Sequence, residues 1–323
     1  MAEKILVIRM MESFDVAAIG VPAIRHLKRC FPEADIHCLT FGQGSEIVRL
    51  AEPDVTVLDL AQADWPEDFV AAMEVFLELA EIINSYNYTE IINLDTWFMP
   101  CFMARFLKDA GEPVIGNTLN RSVQDIIDDF KHQSLSADYV NSPEQYLQST
   151  WTGMHSWFEN WWLHGEPPEG GYPEFYLRRC CGFADINMDI SIDVDAEKMI
   201  ESQPLKTIAL ALSGASSTEC YPFSDELARQ LTARDFKVYS GLDDEAKMQE
   251  KLSKLKACDL LVSIPAGAQW LAAAVNTPVL LISGRIDPQT IMPDYATEMS
   301  DQPVSVESLV EGIIQIIEGK ANA

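Results

Sequence analysis

The chain has 323 residues, 48% of them hydrophobic, with 23 Lys and Arg against 50 Asp and Glu and a net charge of -27. That length suits two α/β domains of about 150 residues each, and the apolar fraction gives each a core, which excludes a disordered chain. Nucleic-acid binding needs clustered cations to displace counterions, and no such stripe occurs; an anionic bilayer repels the chain on average, leaving at most peripheral membrane contact.

Short apolar runs alternate with helical patterns from the start. Ile5 to Ile8 is a continuous apolar run closed by Arg9. It reads as a strand buried on both faces and is too short for the apolar region of a signal peptide. Pro22 opens a helix over Ala23 to Cys30, and Pro32 stops it. Strands follow at Asp35 to Thr40 and Val55 to Leu60, then an amphipathic helix over Glu67 to Ser85. Ile91 to Leu94 is a fourth strand, Met99 to Lys108 a helix, and Pro113 to Ile115 a short strand. Repeated β-α alternation implies a parallel sheet covered on both faces.

Residues 120–180 break this rhythm as a polar insert holding Trp151, Trp157, Trp161 and Trp162, four of the seven tryptophans. Helices are expected around Pro143 to Leu163. The tryptophans are either an aromatic surface facing sugar or lipid, or the packing face of a helix, since Trp157 and Trp161 are four apart. The alternation resumes with a strand at Lys206 to Leu212 and a helix capped by Ser224 and running to Ala233. A strand at Phe236 to Ser240, a helix at Asp243 to Ala257 and a strand at Leu260 to Ile264 come next. A helix at Ala268 to Val275 and a strand at Val279 to Ile282 precede a last helix capped by Ser305. The expected domains are residues 1–190 and 191–323, both Rossmann-like and facing across a cleft. Ligands of such sheets bind beyond the carboxyl ends of the strands, at helix N-termini, which selects the loops 9–21, 213–223 and 264–270.

Seven cysteines occur at irregular spacing, with no CxxC pair and no clustering with the five histidines. Free, buried thiols in a reducing cytoplasm are expected, with no metal site. No uninterrupted apolar stretch reaches the ~18 residues of a membrane-spanning helix. The pair Asp193-Val194-Asp195 lies in an acidic linker without the context of a metal-binding motif. A GxxxxGKS loop, a GxSxG elbow and a GxGxxG after the first strand are all missing, so NTPase, hydrolase and dinucleotide oxidoreductase readings lack support.

Three selected loops carry a resemblance. Lys4 to Arg9, then Ser13-Phe14-Asp15-Val16, then Val21-Pro22-Ala23-Ile24 resembles the opening of the glycosyltransferase family 9 enzymes. Ser213-Gly214-Ala215-Ser216-Ser217 with Tyr221-Pro222 resembles their Pro-Gly-Ala-Ser loop. Ala257 to Val262, Leu271 to Ala274 and Thr277-Pro278-Val279 resemble their donor-domain signature, and Gly284 to Pro288 resembles the Gly-Pro-Thr-Asp-Pro that follows. The likeness implies a GT-B fold, with the acceptor on the N-terminal domain and a nucleotide-sugar donor on the C-terminal one. It further implies inverting, metal-independent and cofactor-free transfer of a heptose or related sugar from an ADP-sugar to a lipopolysaccharide-type glycan. Several positions depart from the pattern. Phe14 stands for its Gly, the spacing from Asp15 to Pro22 is one residue longer, Glu219 and Cys220 replace a basic residue, and Pro265-Ala266-Gly267 and Trp270 replace Asp-Thr-Gly and His.

The residues support particular roles. Asp15 is the candidate general base: carboxylates ionise near pH ~4, and one placed just past the first strand can take the proton of an attacking hydroxyl. It can equally be a helix N-cap. Ser213 to Ser217 form either a phosphate-binding loop or an ordinary connection, and Gly267-Ala268-Gln269 either face a diphosphate or merely begin a helix. Asp287 is a hydroxyl ligand or an Asp-Pro turn. Ser13 and Arg121 are the candidate acceptor contacts. The alternative to transfer is a catalytically degenerate GT-B protein that binds a sugar, a nucleotide or a partner.

Overall fold

In the computed structural model, residues 3–10, 13–60, 69–202, 204–214, 220–240, 242 and 246–319 are described. The chain forms two compact units. One comprises Met1–Gly165 with Pro173–Asp189, the other Glu166–Tyr172 with Ile190–Ala323.

The first unit is built on a six-stranded sheet: β1 (Lys4–Ile8), β2 (Asp35–Phe41), β3 (Thr56–Leu60), β4 (Glu90–Asn93), β5 (Val114–Leu119) and β6 (Leu147–Ser149), in the order β3-β2-β1-β4-β5-β6. The first five are parallel and β6 runs antiparallel on the edge. Leu6, Val7 and Ile8 are fully buried, as the unbroken apolar run in this central strand requires. Chain order reverses between β1 and β4, so their carboxyl ends flank the switch point of the sheet.

Two elements differ from the sequence expectation. The helix expected to open at Pro22 begins at Ser13: Ser13–Asp15 is α-helical, Val16–Gly20 is a π-turn, and Val21–Cys30 completes the run. Pro22 has no N–H to give, and the preceding Val21 N–H reaches back five residues to the Val16 carbonyl. A π-turn holds one residue more than an α-turn, which accommodates the longer Asp15-to-Pro22 spacing. The second difference lies at Pro143 to Leu163, where no long helix forms. Pro143–Tyr146 makes a single turn, β6 follows, and Thr152–Phe158 and Trp161–Leu163 are 3₁₀ turns. Gly116 helps hold this arrangement. Its φ is +94°, and a Cβ there would stand 2.5 Å from the Asn93 carbonyl and 2.7 Å from the Trp151 ring.

The second unit has five parallel strands, β7 (Thr207–Ala211), β8 (Lys237–Ser240), β9 (Leu260–Ser263), β10 (Val279–Leu281) and β11 (Tyr295–Ala296), in the order β11-β10-β9-β7-β8. Here the order reverses between β7 and β9. Ser305 caps the helix Val306–Ile317 by accepting from the Ser308 N–H at 3.2 Å. Ser224 is instead the first residue of the helix Ser224–Thr232, preceded by Phe223. The helix expected from Asp243 runs only over Met248–Lys256; Asp243 to Glu245, like Glu67 and Asp68 of the earlier helix, lie outside the described residues.

Two expectations about stability follow. Gly116→Ala introduces backbone strain and overpacking together and should cost about 2 kcal/mol or more in urea unfolding; an unchanged midpoint would count against the packing described. Burial pushes the thiols of Cys38 and Cys180 up to about 12 and that of Cys258 to about 11, from 9.0. An unfolded chain releases these protons first as pH rises, so their contribution is complete below pH ~9 and is lost progressively above it. Alkaline unfolding measured between pH 8 and 11 should therefore weaken when Cys38 is replaced by Ala, and an unaltered pH slope would contradict this.

Candidate functional site

At the switch point of the first sheet lies a buried charged cluster. Arg9 is the residue directly after β1, and Asp95 stands two residues beyond β4. Arg9 Nη1 is 3.4 Å from Asp95 Oδ1, and Arg9 Nη2 is 3.6 Å from Asp15 Oδ1. Arg9 is 2% exposed, Asp95 fully buried and Asp15 8% exposed. Charges so far removed from water persist only when paired, so the guanidinium and the two carboxylates depend on one another. Arg9 also donates to the Leu94 carbonyl at 2.7 Å, and Asp95 Oδ2 accepts from the Met10 N–H at 2.5 Å. The end of β1 is thereby clamped to the end of β4.

A neutral layer lies beneath. Asn93 accepts from the Asp95 N–H and donates to the Asn117 carbonyl at 2.7 Å. Asn117 donates to the Asp95 carbonyl at 3.1 Å and to the Tyr176 hydroxyl at 2.9 Å. Tyr176 donates to the Leu94 carbonyl at 2.7 Å, and the Arg9 guanidinium lies over its ring at 5.9 Å. Burial raises the Tyr176 phenol well above its ordinary range, so it stays protonated and serves as a donor. Tyr176 belongs to a second π-turn, Phe175–Cys180. Both π-turns among the described residues of the first unit thus carry or adjoin residues of this cluster, in keeping with the frequency of such turns at functional sites.

Asp15 is the most exposed of the three charged groups and the one on a helix. Its backbone is helical (φ -70°, ψ -32°) and it makes no capping hydrogen bond, so the N-cap alternative falls away. Ser13 begins the same helix; its side chain lies outside the described residues. Arg121 follows β5, one strand further from the switch point. Its guanidinium pairs with Asp129 at 2.7 Å, a bond that raises its pKa further, and lies over the Tyr139 ring. Arg9, Asp95, Asn117 and Tyr176 were not singled out from sequence. The available signal was the polar Asn93 and Asp95 at the end of an apolar strand.

In the second unit the loops after β7 and β9 are neighbours, because Ala211 pairs with Ser263. Ser213 is exposed and Gly214 half-buried, whereas Ala215, Ser216 and Ser217 lie outside the described residues. Gly267 has φ +100° and precedes the helix Ala268–Ala274, on which Ala268 and Gln269 are the first residues. The Gln269 side-chain oxygen accepts from the Gly267 N–H at 2.9 Å, so that amide is already engaged. Trp270 is buried with its indole N–H unpartnered, its ring perpendicular to Tyr172. Asp287 follows β10, one strand outward, and accepts from the Gln289 N–H at 2.9 Å, which makes it the cap of the turn Pro288–Thr290. Among the described residues no group of three His, Cys, Asp or Glu is placed to hold a metal, and no helix is long and apolar enough to cross a membrane.

Comparison with solved structures fits this architecture. A family 9 glycosyltransferase from Veillonella parvula is similar over 98% of this chain and 97% of its own, with a TM-score of 0.64 at 11% identity. The ADP-heptose lipopolysaccharide heptosyltransferase II of E. coli is similar over 98% and 99%, with a TM-score of 0.64 at 14% identity. A putative UDP-N-acetylglucosamine 2-epimerase from Listeria monocytogenes is similar over 99% and 89%, with a TM-score of 0.56 at 12% identity. The chain therefore has the GT-B fold of the family 9 glycosyltransferases. No family model matches it, and no curated protein matches it by sequence.

The clamp makes a quantitative expectation. Arg9→Met leaves Asp95 buried without its cation and should cost about 3–5 kcal/mol. Adding Asp95→Asn removes the stranded charge, so the double variant should be more stable than Arg9→Met alone by about 1 kcal/mol or more in denaturant unfolding. Strict additivity would show that the two groups do not interact.

Proposed function

We propose that this protein is an inverting, metal-independent glycosyltransferase. In this reading it moves a heptose or related sugar from an ADP-sugar to a lipopolysaccharide-type glycan, in the cytoplasm. The observation that carries the reading is Asp15, held by the buried Arg9 at the switch point of the first sheet, where ligands of such sheets bind. Asp15 takes the proton of the acceptor hydroxyl; that oxygen bonds to the anomeric carbon as the bond from carbon to the diphosphate breaks, and the nucleoside diphosphate leaves. Residues 1–190 supply the acceptor side, with Ser13 and Arg121 as contacts. Residues 191–323 supply the donor side through Ser213 to Ser217, Gly267 to Gln269 and Asp287. The likeness in fold to the E. coli heptosyltransferase, with the family-like loops at the carboxyl ends of both sheets, supports this assignment.

One observation favours a second reading, a GT-B protein that binds without catalysing. The Gly267 N–H, which would otherwise be free for a diphosphate, is taken by Gln269, and Trp270 stands nearby. The two readings part on turnover. Nucleoside diphosphate release should be measurable with the right sugar donor, and Asp15→Ala should lower it by ~10²–10⁴-fold while donor-induced thermal stabilisation persists. Unchanged turnover in Asp15→Ala would reject Asp15 as the base, and donor binding without any turnover in the wild type would favour the binding module.

A further inference from the structure

Beside β11, within the second unit, lies a cleft of about 810 Å³. One wall is a single face of the helix Val306–Ile317, carrying Ser308, Leu309, Gly312, Gln315 and Ile316 at helical spacing. The other is chiefly the chain from Met292 to Val304, which includes β11. Gly312 sits inside the helix and opens the cleft: a Cβ there would meet no atom within 4 Å. Glycine is a poor helix former, and nothing crowds this position, so packing gives no reason for its presence. Met292 and Met299 on the facing wall are 40% and 52% exposed, and such flexible thioether side chains suit a surface that moulds to a partner. β11 is the edge strand of its sheet. Thr297 turns its N–H inward to the Leu281 carbonyl at 2.9 Å, so the peptide groups of Ala296, one residue back, face the open edge.

We infer that this cleft docks an extended segment of a partner protein, one that combines apolar side chains with Lys or Arg. The inference is independent of the transferase reading. Charge selects the partner. Residues 286–319 hold seven Asp and Glu and no Lys, Arg or His, and no positively charged residue lines the cleft among the described residues. Arg285, just ahead of this stretch, is engaged by Asp301 at 2.6 Å. Arg229, on the helix Ser224–Thr232 that packs against Val306–Ile317, is engaged by Glu226. Glu298 stands exposed next to Met299, so a cation and an apolar anchor are recognised side by side, while an anionic ligand is repelled. The walls of the cleft are largely exposed, which would leave a small ligand in water, whereas small-molecule pockets enclose most of their ligand. An extended peptide uses both walls: its backbone adds to the edge of β11 and alternate side chains reach over Gly312.

The test is selection of a random peptide library, displayed on phage, against the full chain. Enriched peptides should combine apolar residues with an excess of Lys and Arg. One of them, synthesised and labelled, is then titrated by fluorescence anisotropy. Gly312→Phe fills the cleft without changing the charge of the protein and should weaken binding about tenfold or more at an unchanged melting temperature. Gly312→Ala adds a methyl group in open space; it should raise the melting temperature and keep the affinity within about twofold. Glu298→Gln, a change at an exposed side chain, should weaken binding about threefold. The absence of any enriched peptide, enrichment without an excess of Lys and Arg, or equal affinity in the wild type and both Gly312→Phe and Glu298→Gln would each overturn the inference. Sedimentation tests the other occupant: a wild-type dimer that Gly312→Phe dissociates would give the cleft to a second copy of the chain and overturn the inference as well.

Discussion

The first unit depends on one guanidinium. Arg9 sits at the end of the central strand, almost without solvent, and faces two carboxylates delivered by different parts of the chain. Asp95 comes from the end of β4, 86 residues away in sequence, and Asp15 from the helix that β1 leads into. Removing water makes each charge costly alone and the set stable together. The same removal fixes geometry, because Arg9 cannot turn away from Asp95 without stranding a charge. Asp15, the outermost member, inherits that rigidity through its own contact with Arg9. Beneath it, Asn93, Asn117 and Tyr176 use their hydrogen bonds to hold the ends of β4 and β5 together.

The sheets explain why the cluster is where it is. Both reverse their strand order once, at β1/β4 and at β7/β9, and each reversal opens a crevice between loops that leave in opposite directions. The loops beyond β1, β7 and β9 were legible from sequence, because buried parallel strands read as apolar runs and their carboxyl ends can be marked without knowing the fold. The place of Asp15 beside the switch point was legible for that reason. Asp95 was not, since only the adjacency of β1 and β4 brings it to Arg9, and no local pattern encodes a contact across that distance. Tyr176 was hidden for the same reason, within a π-turn that has no sequence signature of its own.

Local misreadings had local causes. Pro22 reads as a helix start because proline is tolerated in a first turn, yet here a π-turn before it lets the helix continue upstream to Ser13. The four-residue spacing of Trp157 and Trp161 suggests an α-helix, but β6 pairs with β5 and consumes Leu147 to Ser149, leaving only 3₁₀ turns beyond. Tertiary pairing overrode periodicity there. The family-like framework segments of the second unit form the expected strands and helices, while its polar positions stay distinctive: Gln269 binds back to Gly267, and Asp287 closes its own turn.

A shared fold does not settle chemistry, since the same architecture serves a heptosyltransferase and a putative epimerase. What the transferase reading requires first is a site that recognises a nucleotide sugar; turnover then separates it from an epimerase or a binding module. The most direct measurement is therefore a thermal-unfolding screen of the wild-type chain against ADP-, GDP-, UDP- and CMP-sugars at millimolar concentration. A ligand at 100 times its dissociation constant adds about 2.7 kcal/mol of stability. The account predicts a shift of that order with an ADP-sugar; no shift with any member of the screen would contradict it.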